Sequence, residues 1–202
     1  RTSEFRWAEA GNQKIALPPV EEQRAIANFL DSELHSIDQL IRKQHQLVET
    51  LAIRRQALIT GAVTTGLSAT EELRPSDLPW LGNIPQNWDL KPLKHLVELN
   101  KVALSEATRD DFRFNYIEIS DVTKEKGVGG WTEQTFANAP SRARRLVKQG
   151  DVLVSTVRTY LRAVGTVPAQ VASIPFVAST GFAALSPKKI DTNFLKYALT
   201  AE

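Results

Sequence analysis

The residues of this chain best suited to bind a charged ligand lie in one basic stretch, residues 141–162, SRARRLVKQGDVLVSTVRTYLR. The stretch has six cationic residues against Asp151 alone, so its net charge is +5, whereas the whole chain of 202 residues carries +2. The predicted binding residues are Arg142, Arg144, Arg145, Lys148, Arg158, Tyr160 and Arg162. Arginine pairs with phosphate in a bidentate manner and also reads guanine edges. The stretch therefore indicates either a nucleic-acid interface or a solvated face whose arginines pair with carboxylates such as Asp110, Asp111 and Glu118.

A second basic segment is glycine-rich and covers residues 123–131, TKEKGVGGW. It adds Lys124 and Lys126 to the candidate nucleic-acid-binding residues, because a flexible loop with cationic side chains is able to enter a groove. The same composition is typical of a surface hairpin, and this second interpretation is slightly favoured.

Residue patterns that would support catalysis or metal binding are missing from the sequence. His35 and His45 lie ten residues apart in a predicted helix, so they cannot form a close pair of ligands. There is no nucleophile elbow, phosphate-cradling loop or dinucleotide fingerprint, and there is no cysteine. We therefore expect no enzyme activity, no metal site and no cofactor in this chain.

A single long helix is predicted for residues 20–66. Pro18 and Pro19 suit the entrance of a helix, and Glu21 and Glu22 suit its first turn. No proline or glycine follows until Gly61, which gives about 40 residues or roughly 60 Å of helix. We expect the helix to end within residues 60–67, TGAVTTGL, where glycines bracket a threonine-rich turn.

Apolar residues recur in this helix at alternating steps of three and four, which is typical of a coiled coil. The predicted interface consists of Leu30, Leu34, Ile37, Ile41, Gln44, Val48, Leu51, Arg55 and Leu58. The first half of the helix is acidic and the second half basic, so an antiparallel partner, for example a second copy, is favoured over a parallel one. The alternative is an amphipathic helix lying on a globular core, which the length of the helix disfavours.

The rest of the chain predicts a globular domain large enough for its own core. Strands are expected at 114–119, 151–157, 162–167 and 181–186, with helices at 91–99 and after a capping Asp191. The predicted fold class is therefore α+β, a long coiled-coil helix joined to a mixed globular domain. No apolar run reaches the ~18–20 residues of a membrane span and no signal peptide is visible, so we expect a cytoplasmic protein.

Several segments together resemble one known family. These are IALPPVEEQRAIANFL at the helix entrance, LPWLGNIPQNWDLKPLKHLVE, SRARRLVKQGDVLVSTVRTYLRAV and FVASTGFAAL. They are similar to the specificity (DNA-recognition) subunit of type I restriction-modification systems. The resemblance implies two target-recognition domains held apart by antiparallel helices, each domain reading half of a split duplex DNA sequence. It also implies a non-catalytic subunit that docks methyltransferase subunits, which carry S-adenosylmethionine, and through them ATP-dependent restriction subunits.

Compared with that family, the chain has the layout of a partial subunit. Residues 1–19 resemble the closing segment of a first target-recognition domain, 20–66 the conserved spacer helix, and 67–202 a second target-recognition domain without its closing segment. The competing hypothesis is a coiled-coil scaffold whose basic segment binds an acidic partner protein.

This layout makes a prediction about self-association. In an antiparallel pair of copies, residues 1–19 of one chain would complete the sheet of its partner, so we expect a dimer. Sedimentation equilibrium at micromolar concentration measures this directly. A folded monomer under those conditions would contradict the hypothesis.

Overall fold

The computed structural model describes residues 11–12, 14–68, 70–79, 81–169 and 173–201. Most of the predicted closing segment, namely residues 1–10 and 13, lies outside the described residues. The chain divides into two compact units, Arg1–Ile53 and Arg54–Glu202.

The long helix, α1, spans Val20–Thr65. The side chain of Gln23 donates a hydrogen bond to the Pro18 carbonyl oxygen at 2.7 Å, which secures the first turn. The helix ends inside residues 60–67 as predicted, but Gly61 lies within it and does not end it. Glycine inside a helix costs about 1 kcal/mol relative to alanine, which a long helix tolerates. The end comes at Gly66, whose φ of +81° suits a residue without a side chain.

The apolar stripe of α1 is uncovered. No residue of the helix is buried, and the seven apolar residues of the predicted interface are between 46% and 66% exposed. Leu40 and Leu47 are also exposed and lie one position before Ile41 and Val48, so they widen the predicted stripe. The stripe fits a coiled coil, as the sequence predicts, and nothing in the described chain buries it.

The described residues of the Arg54–Glu202 unit form two main sheets, two small ribbons and a helix that follows them. Its strands are β1 Leu73–Pro75, β2 Asn83–Pro85, β3 Val97–Leu99, β4 Val102–Ala103, β5 Arg113–Ile117, β6 Val122–Thr123, β7 Gly127–Val128, β8 Thr132–Thr135, β9 Ala143–Val147, β10 Val152–Ser155, β11 Val164–Thr166, β12 Phe176–Ser179 and β13 Phe182–Pro187. Helix α2 spans Thr192–Thr200. One main sheet has the strand order β11-β10-β13-β3 and the other β4-β9-β12-β5-β8. The α+β class is therefore confirmed.

The two main sheets share a hydrophobic core. Leu153 and Phe182 from the four-stranded sheet pack in one buried cluster with Ile117 and Phe176 from the five-stranded sheet. Because side chains alternate along a strand, the neighbouring residues form a second layer on each outer face. On the four-stranded sheet this layer packs against Leu195 of α2. Asp191 caps that helix as predicted, since its Oδ1 accepts a hydrogen bond from the Phe194 backbone at 2.9 Å.

The predicted helix at 91–99 is wrong. Only Leu93–His95 forms a short 3₁₀ turn, and the chain then continues as β3. Strand β3 pairs with β13, so that Val97 lies opposite Pro187 and Leu99 opposite Leu185. The local helical spacing of leucines is overridden by this sheet edge, because burial against a neighbouring strand outweighs weak local propensity.

Among the described residues, no helix has the length and apolar composition that crossing a membrane requires.

Glu98 of β3 forms two ion pairs with lysine side chains. The Glu98 carboxylate accepts hydrogen bonds from Lys101 and Lys188, whose Nζ atoms lie 2.6 Å and 2.7 Å away, and these bonds lower the Glu98 pKa from 4.5 to about 2. The contribution of Glu98 to folding stability is therefore complete above its unfolded-state pKa of 4.5 and is lost as the pH falls toward about 2. We expect Glu98→Gln to destabilise the protein modestly at pH 6 and less at pH 3.

Urea unfolding of wild type and variant at both pH values measures this difference. The same substitution at the exposed Glu72 serves as the control. A wild-type advantage of equal size at pH 6 and pH 3 would rule out the ion pairs as its source.

Candidate nucleic-acid interface

Four loops meet at one edge of the two main sheets. Strands β5 and β12 are parallel, so the residues that follow them, 118–120 and 180–181, leave the sheet at the same edge. Strand β9 is antiparallel to β12, which places Arg142, just before β9, at this edge as well. The Thr180 backbone donates to the Arg142 carbonyl oxygen at 2.8 Å, and the Thr156 backbone donates to the Gly181 carbonyl oxygen at 2.9 Å. The loops enclose a cleft of about 460 Å³, called here the loop cleft.

Arg142 is the best-positioned cation of the loop cleft. Its Nε donates to the hydroxyl oxygen of the buried Tyr116 at 3.2 Å, and a terminal nitrogen lies 3.5 Å from an oxygen of Glu118. The Tyr116 hydroxyl first, and the Glu118 carboxylate second, raise the pKa of the guanidinium, which stays charged. The side chain is nevertheless 58% exposed, so the fixed guanidinium is still open to a ligand. Its pairing with Glu118 is the carboxylate contact that the solvated-face interpretation predicts.

Arg158 lines the same cleft from the loop after β10. It opens a short turn, Thr159–Leu161, that ends at Arg162, and both arginines have positive φ angles of 52° and 47°. Left-handed backbone is uncommon outside glycine and tends to occur at functional sites. The turn exposes 77% of Tyr160. This loop thus carries two arginines and an exposed aromatic ring.

The arginines inside β9 have different surroundings. Successive side chains of a strand point to opposite faces, so Arg144 and Arg145 diverge. Arg144 is only 19% exposed: its guanidinium lies 4.8 Å from the centre of the Phe136 ring and donates to Glu106 at 3.3 Å. The Nε of Arg145 is buried and has no hydrogen-bond partner in the described chain.

Lys148 lies beyond the opposite end of β9 from Arg142. A strand of five residues spans about 17 Å. The predicted binding residues in and around β9 are therefore spread over both faces and both ends of that strand. Of these residues, Arg142 alone lines the loop cleft.

Lys124 and Lys126 belong to the turn between β6 and β7, so the favoured prediction of a surface hairpin is confirmed. They line a separate cavity of about 190 Å³ together with Arg55, called here the hairpin cavity. This cavity shares no lining residue with the loop cleft. Of the predicted DNA-binding residues, Arg142 and Arg158 thus line the loop cleft, Lys124 and Lys126 line the hairpin cavity, and the other five line neither.

Sequence reasoning named Glu118 only as a possible partner of the arginines and did not assign the neutral and acidic residues of the loop cleft to a site. These residues include Glu118, Ser120, Ser179, Thr180 and Gly181. The sequence shows the segment STGF as a run of small and hydroxyl residues, but no residue close to it in the sequence suggested a binding role. Its neighbours come from β5, about 60 residues earlier, and only the parallel pairing joins the two. No group of acidic residues and histidines within the described ranges could hold a metal ion.

Together, an uncovered apolar stripe and an arginine-lined cleft define a protein that combines a helix suited to pairing with a unit suited to binding anions. Comparison with known proteins makes the class more specific. The chain is 31% identical over 88 residues to the type I restriction enzyme MjaVIII specificity subunit of Methanocaldococcus jannaschii. The matched segment covers 44% of this chain and 19% of that protein. The resemblance inferred from the sequence is thereby confirmed, and the chain spans about a fifth of the length of this curated relative.

Two solved structures are also similar. The HsdS subunit of Thermoanaerobacter tengcongensis is 26% identical, with 55% of this chain and 30% of that chain covered and a TM-score of 0.39. A chain from a structural study of complex assembly and conformational transition in the type I R-M system is 26% identical, with 56% and 30% covered and a TM-score of 0.42. No family model matches the chain.

The different surroundings of the arginines generate a prediction. Arg144→Ala removes a cation from the face of Phe136 and a packed aliphatic stem, so we expect a loss of about 1 kcal/mol in the free energy of unfolding. Urea denaturation followed by tryptophan fluorescence measures this loss, and Lys189→Ala, at an exposed position, is the control. If both variants unfold at the wild-type urea concentration, Arg144 has no packing role.

Proposed function

We propose that this chain is part of a type I restriction enzyme specificity subunit and that its Arg54–Glu202 unit binds duplex DNA through the loop cleft. The observation that carries the proposal is the pair Arg142 and Arg158, two cations that line one cleft in a chain similar to a specificity subunit. Phosphate contacts fix the register of a protein on DNA, and contacts to base edges supply the sequence preference. The cleft has side chains for both tasks.

The expected division of labour follows from the geometry. Arg158 lies on an exposed turn, so it contacts backbone phosphates together with Arg162. Arg142 is held in one orientation by Tyr116, which suits a guanidinium that must meet a guanine edge in a fixed direction. The Glu118 carboxylate accepts a hydrogen bond from a cytosine amino group once the duplex enters the cleft.

The wider assembly is part of the same proposal. Each recognition domain of the full subunit reads one half of a bipartite duplex target. The subunit docks methyltransferase subunits and, through them, restriction subunits. S-adenosylmethionine and ATP are bound only by those partner subunits. The chain itself is a non-catalytic recognition component, in agreement with the name of the matched relative, which is that of a specificity subunit.

The helix α1 pairs with a reversed helix in this proposal, which in the isolated chain is supplied by a second copy. Two observations support it: the apolar stripe is uncovered, and the acidic first half of the helix complements its basic second half. Closely spaced exposed charges contribute little energy individually, but their pattern selects the orientation of the partner.

The role of the cleft is tested with Arg142→Gln and Arg158→Gln. Each change removes one cation at similar side-chain size, so we expect duplex affinity to fall about tenfold per variant, consistent with the ~1–3 kcal/mol attributed to a good arginine contact. Fluorescence anisotropy with a mixed-sequence duplex between 50 and 200 mM salt measures affinity and its salt dependence. Replacing the phosphate-contacting Arg158 should also reduce the salt slope by about 1.

The matched control is Lys189→Gln, which removes a positive charge outside both cavities. Wild-type affinity in both arginine variants would refute the cleft as the DNA site. Failure of the wild-type chain to bind the duplex in a salt-dependent way would contradict phosphate contacts and favour the scaffold hypothesis, in which the basic segment binds an acidic protein. Methylome sequencing of cells that carry the parent system tests the bipartite target, because the marks should fall in a split motif.

A further inference from the structure

The hairpin cavity is a second basic site that the proposed function does not use. It lies within the Arg54–Glu202 unit, between the β6–β7 hairpin, strand β11, helix α2 and the last turns of α1. We propose that this cavity binds a phosphate group. The proposal is argued from the residues of the cavity. It rests on the proposed function only if duplex DNA is the source of the phosphate.

The charge of the cavity favours an anion. Its lining includes Arg55, Lys124, Lys126 and Lys196, against the single carboxylate of Glu125. Arg55 was assigned to the coiled-coil seam from its spacing, and the structure gives this position a second environment beside the hairpin. Because the net charge of the lining is strongly positive, phosphate is attracted by Coulomb forces and receives charge-assisted hydrogen bonds.

The neutral groups of the cavity also suit phosphate. The Oγ1 of Thr166 is buried and has no hydrogen-bond partner in the described chain, so it is able to donate to a bound oxygen. The C-terminal end of a helix would normally repel an anion through its free carbonyl groups. Here Gln56 donates from its side chain to the Thr200 carbonyl oxygen at 2.9 Å, which offsets part of that repulsion.

The hairpin that carries the two lysines is pressed against strand β11. A side chain at Gly165 would place its Cβ 2.6 Å from the Val128 backbone nitrogen, and Gly127, with φ of +69°, faces the Gly165 Cα. Only glycine at position 165 permits this approach of two backbones. The lysines therefore project from a turn that the packing fixes in place, which lowers the entropic cost of ordering them around a ligand.

The size of the cavity restricts the ligand. About 190 Å³ accommodates a phosphate group with some of its water, but not a base pair or a folded segment of a partner. Two sources present this chemistry: the phosphodiester backbone of duplex DNA, and free phosphate or the phosphate of a nucleotide. Both would use the same cations, and the experiment below distinguishes them.

The first measurement is a titration of the ¹⁵N-labelled chain with inorganic phosphate, with sodium chloride matched for ionic strength. We expect saturable shifts in the backbone amides of 124–128 and of Thr166. In the double variant Lys126→Gln/Lys196→Gln the apparent affinity should fall at least tenfold, whereas Lys94→Gln/Lys189→Gln, with the same loss of charge, should behave as wild type. Shifts that sodium chloride reproduces, or that both double variants retain, would overturn the proposal.

The second measurement identifies the source. If DNA supplies the phosphate, the slope of log affinity against log salt for a mixed duplex should fall by about 1 for each lysine replaced, equally for all sequences. An unchanged slope in a chain that still responds to phosphate assigns the cavity to free phosphate or nucleotide. The phosphate titration contains no DNA, so its outcome is independent of Arg142 and Arg158, and failure of the loop cleft is distinguishable from failure of the hairpin cavity.

Discussion

Parallel pairing between β5 and β12 is the contact on which the loop cleft depends. The two strands are joined through Asn115 and Phe176, Tyr116 and Val177, and Ile117 and Ala178, and all of these residues are buried. A parallel pair cannot be closed by a short turn, so the chain makes a long crossover, which here includes β6 to β11, before it returns. Both strands then end at the same edge, which places the Glu118 and Thr180 loops next to each other. Without this register, the carboxylate and hydroxyl groups that line the cleft would not lie close together.

The uncovered stripe of α1 imposes a different constraint. An apolar side chain that is about half exposed still leaves on the order of 1 kcal/mol of hydrophobic stabilisation unused. Seven such side chains in one row amount to several kcal/mol, which is comparable with a large part of the net stability of a domain. A surface of this kind indicates an interaction site, because exposed apolar rows of this length are rare on monomers. In the proposed pairing, a second helix would recover this unused stabilisation.

Local pattern predicted the parts of the molecule that are local. The long helix follows from about 40 residues without a helix breaker, and the Asp191 cap follows from one residue and its position. The pattern failed where a distant neighbour decides: Leu93, Leu96 and Val97 have helical spacing, yet pairing with β13 makes residues 97–99 a strand. Strands β9 and β12 were also missed, because ARRLV and FVAS do not show the alternation of a half-buried strand. The loop cleft could not be predicted, since its sides come from four separated segments.

Arginine content likewise could not reveal which cations bind a ligand. The basic stretch counts six positive charges, but Arg144 and Arg145 lie in the middle of a strand, where the sheet and its flanking turns surround them. The Arg144 guanidinium lies against the Phe136 ring and donates to Glu106, whereas the buried Nε of Arg145 has no hydrogen-bond partner in the described chain. Arg142 and Arg158 lie at strand ends, where the backbone turns and the head group meets solvent. Position along the strand, rather than the density of charge in the sequence, thus separates arginines that pack from arginines whose head groups are open to a ligand.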